Sequence, residues 1–263
     1  MTPIICFGQQ PCGIFPKRFL VAKILTARRL QKQLGGEIVF FYHDADHDPR
    51  ETKTTLRHRQ SHKPLDYNFE YENKIQRKFS PLYLKRVPAE WHKKMSHTLP
   101  NYVSAELVEA FKSTPPGNVA DFCLEIYRKQ GLLDGIRVAR SSDSALRTAA
   151  CEINDFFADV PYENEIVRAR HIPAAGGATE SLSLHEGGPN YITLPCPPQF
   201  SKTQISPTRD SRLRWMQSVL HCTHYIAGMG EQAYLNKAEA PEIAFVQRDP
   251  IENQDEAWTE GAS

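Results

Sequence analysis

The clearest hydrophobic pattern lies in the first fifty residues of the chain. A short apolar run at residues 3–7 (PIICF) is typical of a buried strand, and apolar residues then recur at helical spacing from Lys17 to Leu34. Two glycines, Gly35 and Gly36, predict the end of that helix. The next run, EIVFFYH at residues 37–43, is almost entirely apolar, which indicates a strand covered on both faces. A strand, a helix and a strand of these lengths predict a right-handed parallel crossover unit.

The same alternation returns later in the chain. The predicted elements are a helix at 118–130, a strand at 135–140, a helical run with Ser and Asp cap candidates within 141–160, a strand at 223–228, a short helix within 228–238 and a strand at 242–248. Alternating helices and strands predict an α/β fold with a Rossmann-like, mostly parallel sheet and helices on both faces. We expect one such domain over residues 1–250 and a flexible acidic tail at 251–263.

Three other stretches show no clear period. Residues 47–66 are polar and charged, and residues 172–190 are rich in Gly, Ser and Pro. Residues 194–210 contain four prolines, which is typical of a long connection. We therefore predict irregular structure for these segments.

Composition narrows the class of partner. The chain has 263 residues and a formal net charge of +1, so no global field favours nucleic acid or a membrane surface. No apolar run approaches the roughly 20 residues that span a bilayer. Six scattered cysteines without a C-x-x-C pair are typical of a reduced, intracellular protein. We expect a cytoplasmic protein whose partner is a small molecule.

The first candidate site follows the first predicted strand. In an open parallel sheet, ligands bind outside the carboxyl ends of the strands. Gly8 lets backbone amides approach a ligand, and Gln9 and Gln10 offer amide donors and acceptors. The following helix directs the positive end of its dipole toward an anion, and Lys23 lies further along it. The alternative is a tight turn with surface glutamines.

The second candidate site is HDADHD at residues 43–48, directly after the second predicted strand. Imidazole and carboxylate groups could bind a divalent ion, or they could form an acid/base pair in which a carboxylate orients a histidine. The spacing matches no familiar zinc pattern, so we predict no metal here. We predict His47 as the catalytic group, with Asp46 and Asp48 orienting it or holding a substrate amine. A capped polar loop is the alternative.

The third candidate site lies in AGMGEQAY at residues 227–234. Gly228 and Gly230 form a compact turn, and Glu231 follows where its charge suits the start of a helix. Upstream, Arg212 could grip a phosphate or carboxylate bidentately, or be an ordinary surface arginine. The three segments together predict a polar site for a small anionic substrate or a nucleotide.

Three separated blocks resemble, in the same order, the bacillithiol biosynthesis cysteine-adding enzyme family. The GQQP turn, the helix carrying Lys23 and the DHD that ends the apolar strand resemble the family's TGQQ-type turn and EDHD-type segment. Residues 117–150 resemble its middle helix, strand and turn. In the last block the residues in the same register are Ser206, Pro207, Arg212, Tyr225, Gly228, Glu231, Ala233, Tyr234 and Arg248.

This resemblance implies a Rossmann-like core related to nucleotidyltransferases. It also implies a ligase that joins cysteine to an amino-sugar acceptor through an amide, a reaction for which activation by ATP, with Mg²⁺, would be suitable. The substrate- or nucleotide-binding residues that we expect are Gly8, Gln9, Gln10, Lys23, Arg212, Gly228, Gly230, Glu231 and Tyr234.

The chain also departs from the family pattern. Phe7 replaces the threonine of the TGQQ turn, and Ala45 replaces the glutamate of EDHD. The family's coiled-coil extension, used for dimerisation, has no counterpart here, so the sequence does not support a homodimer. Two alternatives stay open: a nucleotidyltransferase or ligase acting on another small acceptor, and a non-catalytic small-molecule-binding module. All three hypotheses expect Gln9, His47 and Glu231 to converge at one rim of the sheet, in a shared hollow; their placement on different sides of the molecule would contradict the proposed chemistry.

Overall fold

The computed structural model describes residues 2–71, 73–175 and 179–259. The strands in these ranges are β1 (Ile4–Gln9), β2 (Glu37–Tyr42), β3 (Thr54–Arg57), β4 (Pro64–Tyr67), β5 (Ile136–Arg140), β6 (Phe156–Tyr162), β7 (Glu165–Ile172), β8 (Ser181–Gly187), β9 (Asn190–Pro195), β10 (Ile205–Pro207), β11 (His224–Ala227) and β12 (Ala244–Gln247). The helices are α1 (Arg18–Leu34), α2 (Lys74–Phe79), α3 (Ala89–Ser96), α4 (Ala105–Ser113), α5 (Val119–Lys129), α6 (Ser144–Ala149), α7 (Arg212–Leu220) and α8 (Met229–Tyr234).

Five strands form an all-parallel sheet in the order β12-β11-β1-β2-β5. β1 lies in the centre, with Cys6 between Val39 of β2 and Tyr225 of β11. The chain builds outward on one side through β2 and β5, and then returns to the other side through β11 and β12. The strand order therefore reverses between β1 and β11, and the Rossmann-like α/β prediction is confirmed.

The two faces of this sheet are buried by different helices. Side chains alternate along a strand, so Ile5 and Phe7 point to one face and Cys6 to the other. Ile5 and Phe7 pack in a cluster with α1 and α5, whereas Cys6 packs with Trp215 and Met216 of α7. Burial on both faces explains why the central strands are continuously apolar, and it confirms the prediction of helices on both faces.

The turn between α1 and β2 depends on its glycines. Gly35 and Gly36 have φ values of 74° and 90°, which side chains rarely tolerate. A Cβ at Gly36 would also collide with the carbonyl of Pro3 at the start of β1. The predicted helix end is confirmed, because the close approach of β1 and β2 leaves room only for glycine.

A second, antiparallel sheet was not predicted. Its order is β10-β6-β7-β8-β9. It occupies segments that we expected to be helical or irregular, together with residues 161–171, for which no element was predicted. The helical prediction over residues 141–160 is wrong beyond Ala149, because the side chains from Phe156 onward alternate instead. Phe156, Ala158 and Val160 face a small apolar cluster, so a period of two replaces the helical period.

Other elements fill the remaining space. The polar stretch at 47–66 contains the hairpin of β3 and β4, so the prediction of an irregular segment is wrong there. Helices α3 and α4 contribute Trp91 and Phe111 to an aromatic cluster with Phe122 of α5. This cluster extends the core beyond one face of the parallel sheet.

The segment after β12 is packed against the protein. The backbone amides of Ala257 and Trp258 donate to the carbonyls of Thr55 and Pro16, at 2.9 and 2.7 Å. Ala257 is 4% exposed. Residues 251–259, which were predicted as part of a flexible acidic tail, therefore pack against the domain, and the rest of the predicted tail lies outside the described residues.

Across the described ranges, none of the helices combines the length and the apolar character that crossing a bilayer requires.

Candidate functional site

Two pockets open at the carboxyl edge of the parallel sheet. The first, which we call the arginine pocket, has a volume of about 400 Å³ and lies between the ends of β2 and β5 and one face of the antiparallel sheet. The second, which we call the switch-point pocket, has a volume of about 720 Å³ and lies beside the ends of β1, β11 and β12. The residues that matter in the arginine pocket are Asp46, His47, Asp48, Glu51, Phe157, Arg168, Arg170 and Arg212. Those in the switch-point pocket are Gln9, Lys23, Gly228, Gly230, Glu231, Tyr234 and Arg248.

His47 is the central polar group of the arginine pocket. Its Nδ1 lies 3.3 Å from the Arg168 guanidinium and 3.7 Å from an Asp46 oxygen. Burial, reinforced by the Arg168 charge, lowers the pKa of His47 from 6.5 to about 4, so the ring is neutral at neutral pH. Because arginine can only donate, Nδ1 accepts and Nε2 carries the ring proton. In this arrangement His47 offers a hydrogen bond to a substrate oxygen.

Asp46 holds this loop in place. One carboxylate oxygen accepts the backbone amides of His47 and Asp48, at 2.6 and 3.2 Å, and the other accepts Gln10 Nε2 at 3.3 Å. Although burial alone would raise it, the charge of Arg168 and the hydrogen bonds from the backbone amides of His47 and Asp48 hold the pKa of Asp46 below its ordinary value. An ionised Asp46 therefore fixes the direction in which His47 points.

Arg168 supplies a buried positive charge. Its side chain is 8% exposed and lies over the Phe157 ring, 3.7 Å from the ring centroid. Its nitrogens also donate to Ser206 Oγ and to the Pro207 carbonyl, at 3.1 and 3.0 Å. This guanidinium is held rigidly at the pocket wall, as binding of a carboxylate or phosphate requires.

The other acids of the HDADHD segment are not equivalent. Asp44 is fully buried and accepts hydrogen bonds from Arg140 and Ser142, which join the ends of β2 and β5. Asp48 lines the pocket but pairs with Arg50, which is 88% exposed.

Glu51 lies just beyond this segment and also lines the pocket. Burial raises the pKa of Glu51, so this carboxylate is a better proton acceptor than Asp46 or Asp48, whose pKa values are lowered.

A buried lysine supports the loop from behind. Lys85 is fully buried, and its ammonium donates to the carbonyls of His47 and Arg77. Burial lowers the pKa of Lys85 to about 7. The sequence offered no signal for this residue, because a lone lysine in a polar stretch is usually on the surface.

The switch-point pocket is lined by Gln9 of the predicted glutamine turn and by Gly228, Gly230 and Glu231. The predicted turn at Gly228 and Gly230 is corrected, because α8 begins at Met229 and includes Gly230.

Lys23 is 3% exposed and its ammonium donates to the Gly8 carbonyl, to Gln9 Oε1 and to Glu231 Oε2, at 2.7, 3.3 and 2.6 Å. Glu231 also accepts a hydrogen bond from Tyr225 at 3.0 Å. The charge of Lys23 is therefore balanced inside the protein.

Two expectations about the first turn need correction. The start of α1 does not face an anion, because the amides of Arg18 and Phe19 donate to the carbonyls of Glu256 and Gln254. Gly8 makes room for protein rather than for a ligand. A Cβ there would lie 2.5 Å from the Tyr225 hydroxyl and 2.7 Å from His43 Nε2.

The two pockets are separate cavities, but a chain of side-chain hydrogen bonds connects them. Gln9 donates to Gln10 at 3.0 Å, and Gln10 donates to Asp46 at 3.3 Å, so this chain of side chains joins one pocket to the other. Gln9 and Glu231 line the switch-point pocket, whereas His47 lines the arginine pocket. The expectation of one shared hollow is corrected to two neighbouring ones at the same edge of the sheet.

The antiparallel sheet contributes residues that the sequence analysis missed. Arg168 and Arg170 alternate with Val167 and Ala169 along β7, so both arginines point to the same face. The alternation in IVRARHI at residues 166–172 is the signal that predicts this arrangement. An amphipathic strand with two arginines on one face indicates an anion-binding wall.

The switch-point pocket has the size and position expected for a nucleotide. Ligand pockets usually have volumes of roughly 300 to 1,000 Å³ and occur where the strand order reverses. Arg248 lines this pocket and bonds Gln254 Oε1 at 2.6 Å, and Gln9 supplies an amide. These two residues, rather than Lys23, are the donors that phosphate groups could reach.

Comparison of the chain with known protein families and with curated proteins finds no match in either. The family resemblance therefore stays a prediction.

Proposed function

We propose that this protein is an enzyme of the ligase type, which activates a small carboxylic acid with ATP and transfers the acyl group to an amine. The proposal is carried by one observation: His47 is fixed between Asp46 and Arg168 in an arginine-lined pocket at the carboxyl ends of parallel strands. The resemblance to the cysteine-adding family supports cysteine as the acid and an amino sugar as the acceptor.

Each side chain of the arginine pocket has a role that suits its surroundings. Arg168 and Arg212 bind the substrate carboxylate, since both line the pocket and arginine matches a carboxylate bidentately. His47 donates its Nε2 proton to an oxygen on which negative charge develops. Glu51 accepts the proton that the amine loses, because its pKa is raised by burial.

The chemistry has two balanced steps. A carboxylate oxygen attacks the α-phosphorus of ATP, the α–β bridging bond breaks, and pyrophosphate leaves. The amine then attacks the acyl carbon, the acyl–oxygen bond breaks, AMP leaves, and Glu51 takes one proton. Gln9 and Arg248 would hold the nucleotide in the switch-point pocket, and its α-phosphate would have to extend along the Gln9–Gln10–Asp46 contacts to meet the carboxylate in the arginine pocket.

Cysteine-dependent exchange of labelled pyrophosphate into ATP tests the proposal. We expect exchange with the native protein and a loss of at least ~100-fold in His47→Ala, which removes the Nε2 donor, in line with the loss of one oxyanion donor. His97→Ala is the control, because His97 is exposed and lies in neither pocket, and it should keep full activity.

Exchange that is unchanged in His47→Ala would remove this residue from the mechanism. If another acid supports exchange and cysteine does not, the reaction type stands and the substrate changes.

A non-catalytic binding module is the second candidate. Its supporting observation is the ion pair between Lys23 and Glu231. The Glu231 carboxylate neutralises the lysine charge that would otherwise bind a phosphate group. In that case ATP should raise the melting temperature of the protein, while no acid supports exchange.

A further inference from the structure

Three potential metal ligands converge at one end of the antiparallel sheet, away from both pockets. They are His171 near the end of β7, Glu180 just before β8 and Cys196 just after β9. Their ligand atoms all lie within 4.8 Å of one another. We propose that this cluster is a binding site for a zinc ion.

The register of the strands explains the convergence. His171 pairs with Leu182, and Ser181 pairs with Pro195, so Glu180 and Cys196 occupy the next opposed positions. Opposed residues and residues two apart share a face of an antiparallel sheet. The three side chains therefore project from the same face, on neighbouring strands, at the same end.

The distances suit a tetrahedral ion. His171 Nε2 lies 3.7 Å from Glu180 Oε2, and Cys196 Sγ lies 4.0 Å from the same oxygen. With metal–ligand bonds of about 2.0 to 2.3 Å, neighbouring ligands of a tetrahedral zinc lie roughly 3.3 to 3.8 Å apart. The ligand atoms of His171 and Cys196 lie within 4.8 Å of each other, so side-chain adjustments of up to about 1 Å would complete the geometry.

The histidine is held in place before any metal arrives. Its side chain is 10% exposed, and its ring stacks on Phe156 with centroids 4.5 Å apart and an interplanar angle of 5°. Phe200 contacts the same ring edge-on. Its Nδ1 has no hydrogen-bond partner among the described residues. A fixed imidazole lowers the entropic cost of binding an ion.

The ligand types identify the metal class. A thiol, an imidazole and a carboxylate form a mixed sulfur, nitrogen and oxygen set, which favours Zn²⁺ over Mg²⁺ or Ca²⁺. Glu180 is 57% exposed, so the ion has a route from solvent and the fourth position is open to water. The ion would join the ends of β7, β8 and β9 and so stiffen the sheet that presents Arg168 and Arg170. This site is independent of the proposed ligase function.

Metal titration of the full-length, metal-free protein tests the site. We expect one equivalent of Zn²⁺ by calorimetry, and a thiolate-to-metal charge-transfer band when Co²⁺ replaces Zn²⁺. Cys196→Ser should abolish that band, and Glu180→Ala should weaken binding by more than the ~10- to 100-fold that loss of an outer partner costs. Cys151→Ser is the control, since Cys151 lies outside the cluster and should leave binding unchanged.

Zinc should raise the melting temperature of the native protein and of Cys151→Ser but not of Cys196→Ser. Equal zinc affinity in the native protein, Cys196→Ser and Glu180→Ala would overturn the proposal, as would the absence of stoichiometric binding. Because Glu180 is exposed, Glu180→Ala should fold normally and remains informative if Cys196→Ser does not.

Discussion

His47 and Asp46 are neighbours in the sequence, yet their pKa values fall for different reasons. Burial and the Arg168 charge both disfavour a proton on His47, whereas Arg168 overcomes the burial of Asp46 and keeps its carboxylate ionised. One arginine thus fixes a neutral imidazole beside a charged carboxylate. A neighbour in β7 without this charge would raise the pKa values of both groups.

Acid should weaken the protein partly through His47. Between pH 6.5 and about 4 the unfolded chain binds a proton at this position that the folded chain does not, so stability falls as pH is lowered through that window. The full effect is on the order of 3 kcal/mol, since one pKa unit is about 1.4 kcal/mol. Denaturant unfolding of the native protein and of His47→Gln at several pH values measures it.

As the pH falls, the native protein should lose more unfolding free energy than His47→Gln does. A difference that stays constant from pH 7 to pH 4 would contradict the assignment.

Gly8 should not tolerate alanine. An added methyl group would meet the Tyr225 hydroxyl and His43 Nε2 at 2.5 and 2.7 Å, and one of the three must shift. We expect Gly8→Ala to lower the free energy of unfolding by ~1 to 3 kcal/mol, as overpacking usually does. Gly117→Ala is the matched control, because no atom lies within 4 Å of its added Cβ. Equal stability of both variants in urea unfolding would show that the turn has more room.

Helix α6 and strand β6 are linked by a buried ion pair. Arg147 and Asp159 are 1% and 5% exposed, and the guanidinium donates to the carboxylate at 2.7 Å. The same arginine donates to the carbonyls of Ser141 and Thr203. These bonds connect the end of the parallel sheet to the start of the antiparallel one, and so help to hold the two walls of the arginine pocket together.

Breaking this pair should be costly. We expect Arg147→Leu to lower the free energy of unfolding by ~3 to 5 kcal/mol, because the buried Asp159 carboxylate would lose its counter-charge and, among the described residues, keep only the hydrogen bond from the Tyr83 hydroxyl. Glu37→Gln is the control, since the Glu37–Arg137 pair is 42% and 45% exposed and should contribute less than ~1 kcal/mol. Thermal and denaturant unfolding would decide. Similar losses in both variants would mean that Asp159 finds another partner or water.

Across the whole molecule, the sequence predicted the parallel sheet better than the antiparallel one. Runs such as PIICF and EIVFFY are buried on both faces, so their apolar character is continuous and readily seen. β8 has only two fully buried side chains, Leu182 and Leu184, within a polar stretch. Such a half-exposed strand is recognised only from its pairing with the neighbouring strands β7 and β9.

The location of the candidate site was predictable from the sequence, but its division into two pockets was not. The residues that follow β1, β2 and β11 were named correctly as lying at one edge, because strand ends converge there. Their division into two pockets was not predictable, since it depends on the Lys23–Glu231 pair and on a wall supplied by β7. Side-chain contacts between residues far apart in the sequence do not change its hydrophobic periodicity, so this periodicity does not predict them.

The segment 250–256 takes part in two features at once. Its residues Pro250, Ile251, Gln254 and Asp255 line the switch-point pocket, and the carbonyls of Gln254 and Glu256 accept the first amides of α1. Occupancy of that pocket and integrity of the helix start are consequently thermodynamically linked. A molecule that binds in the pocket and holds segment 250–256 in place must also stabilise the first turn of α1. By reciprocity, any change that frays this turn must lower the affinity for that molecule by the same factor.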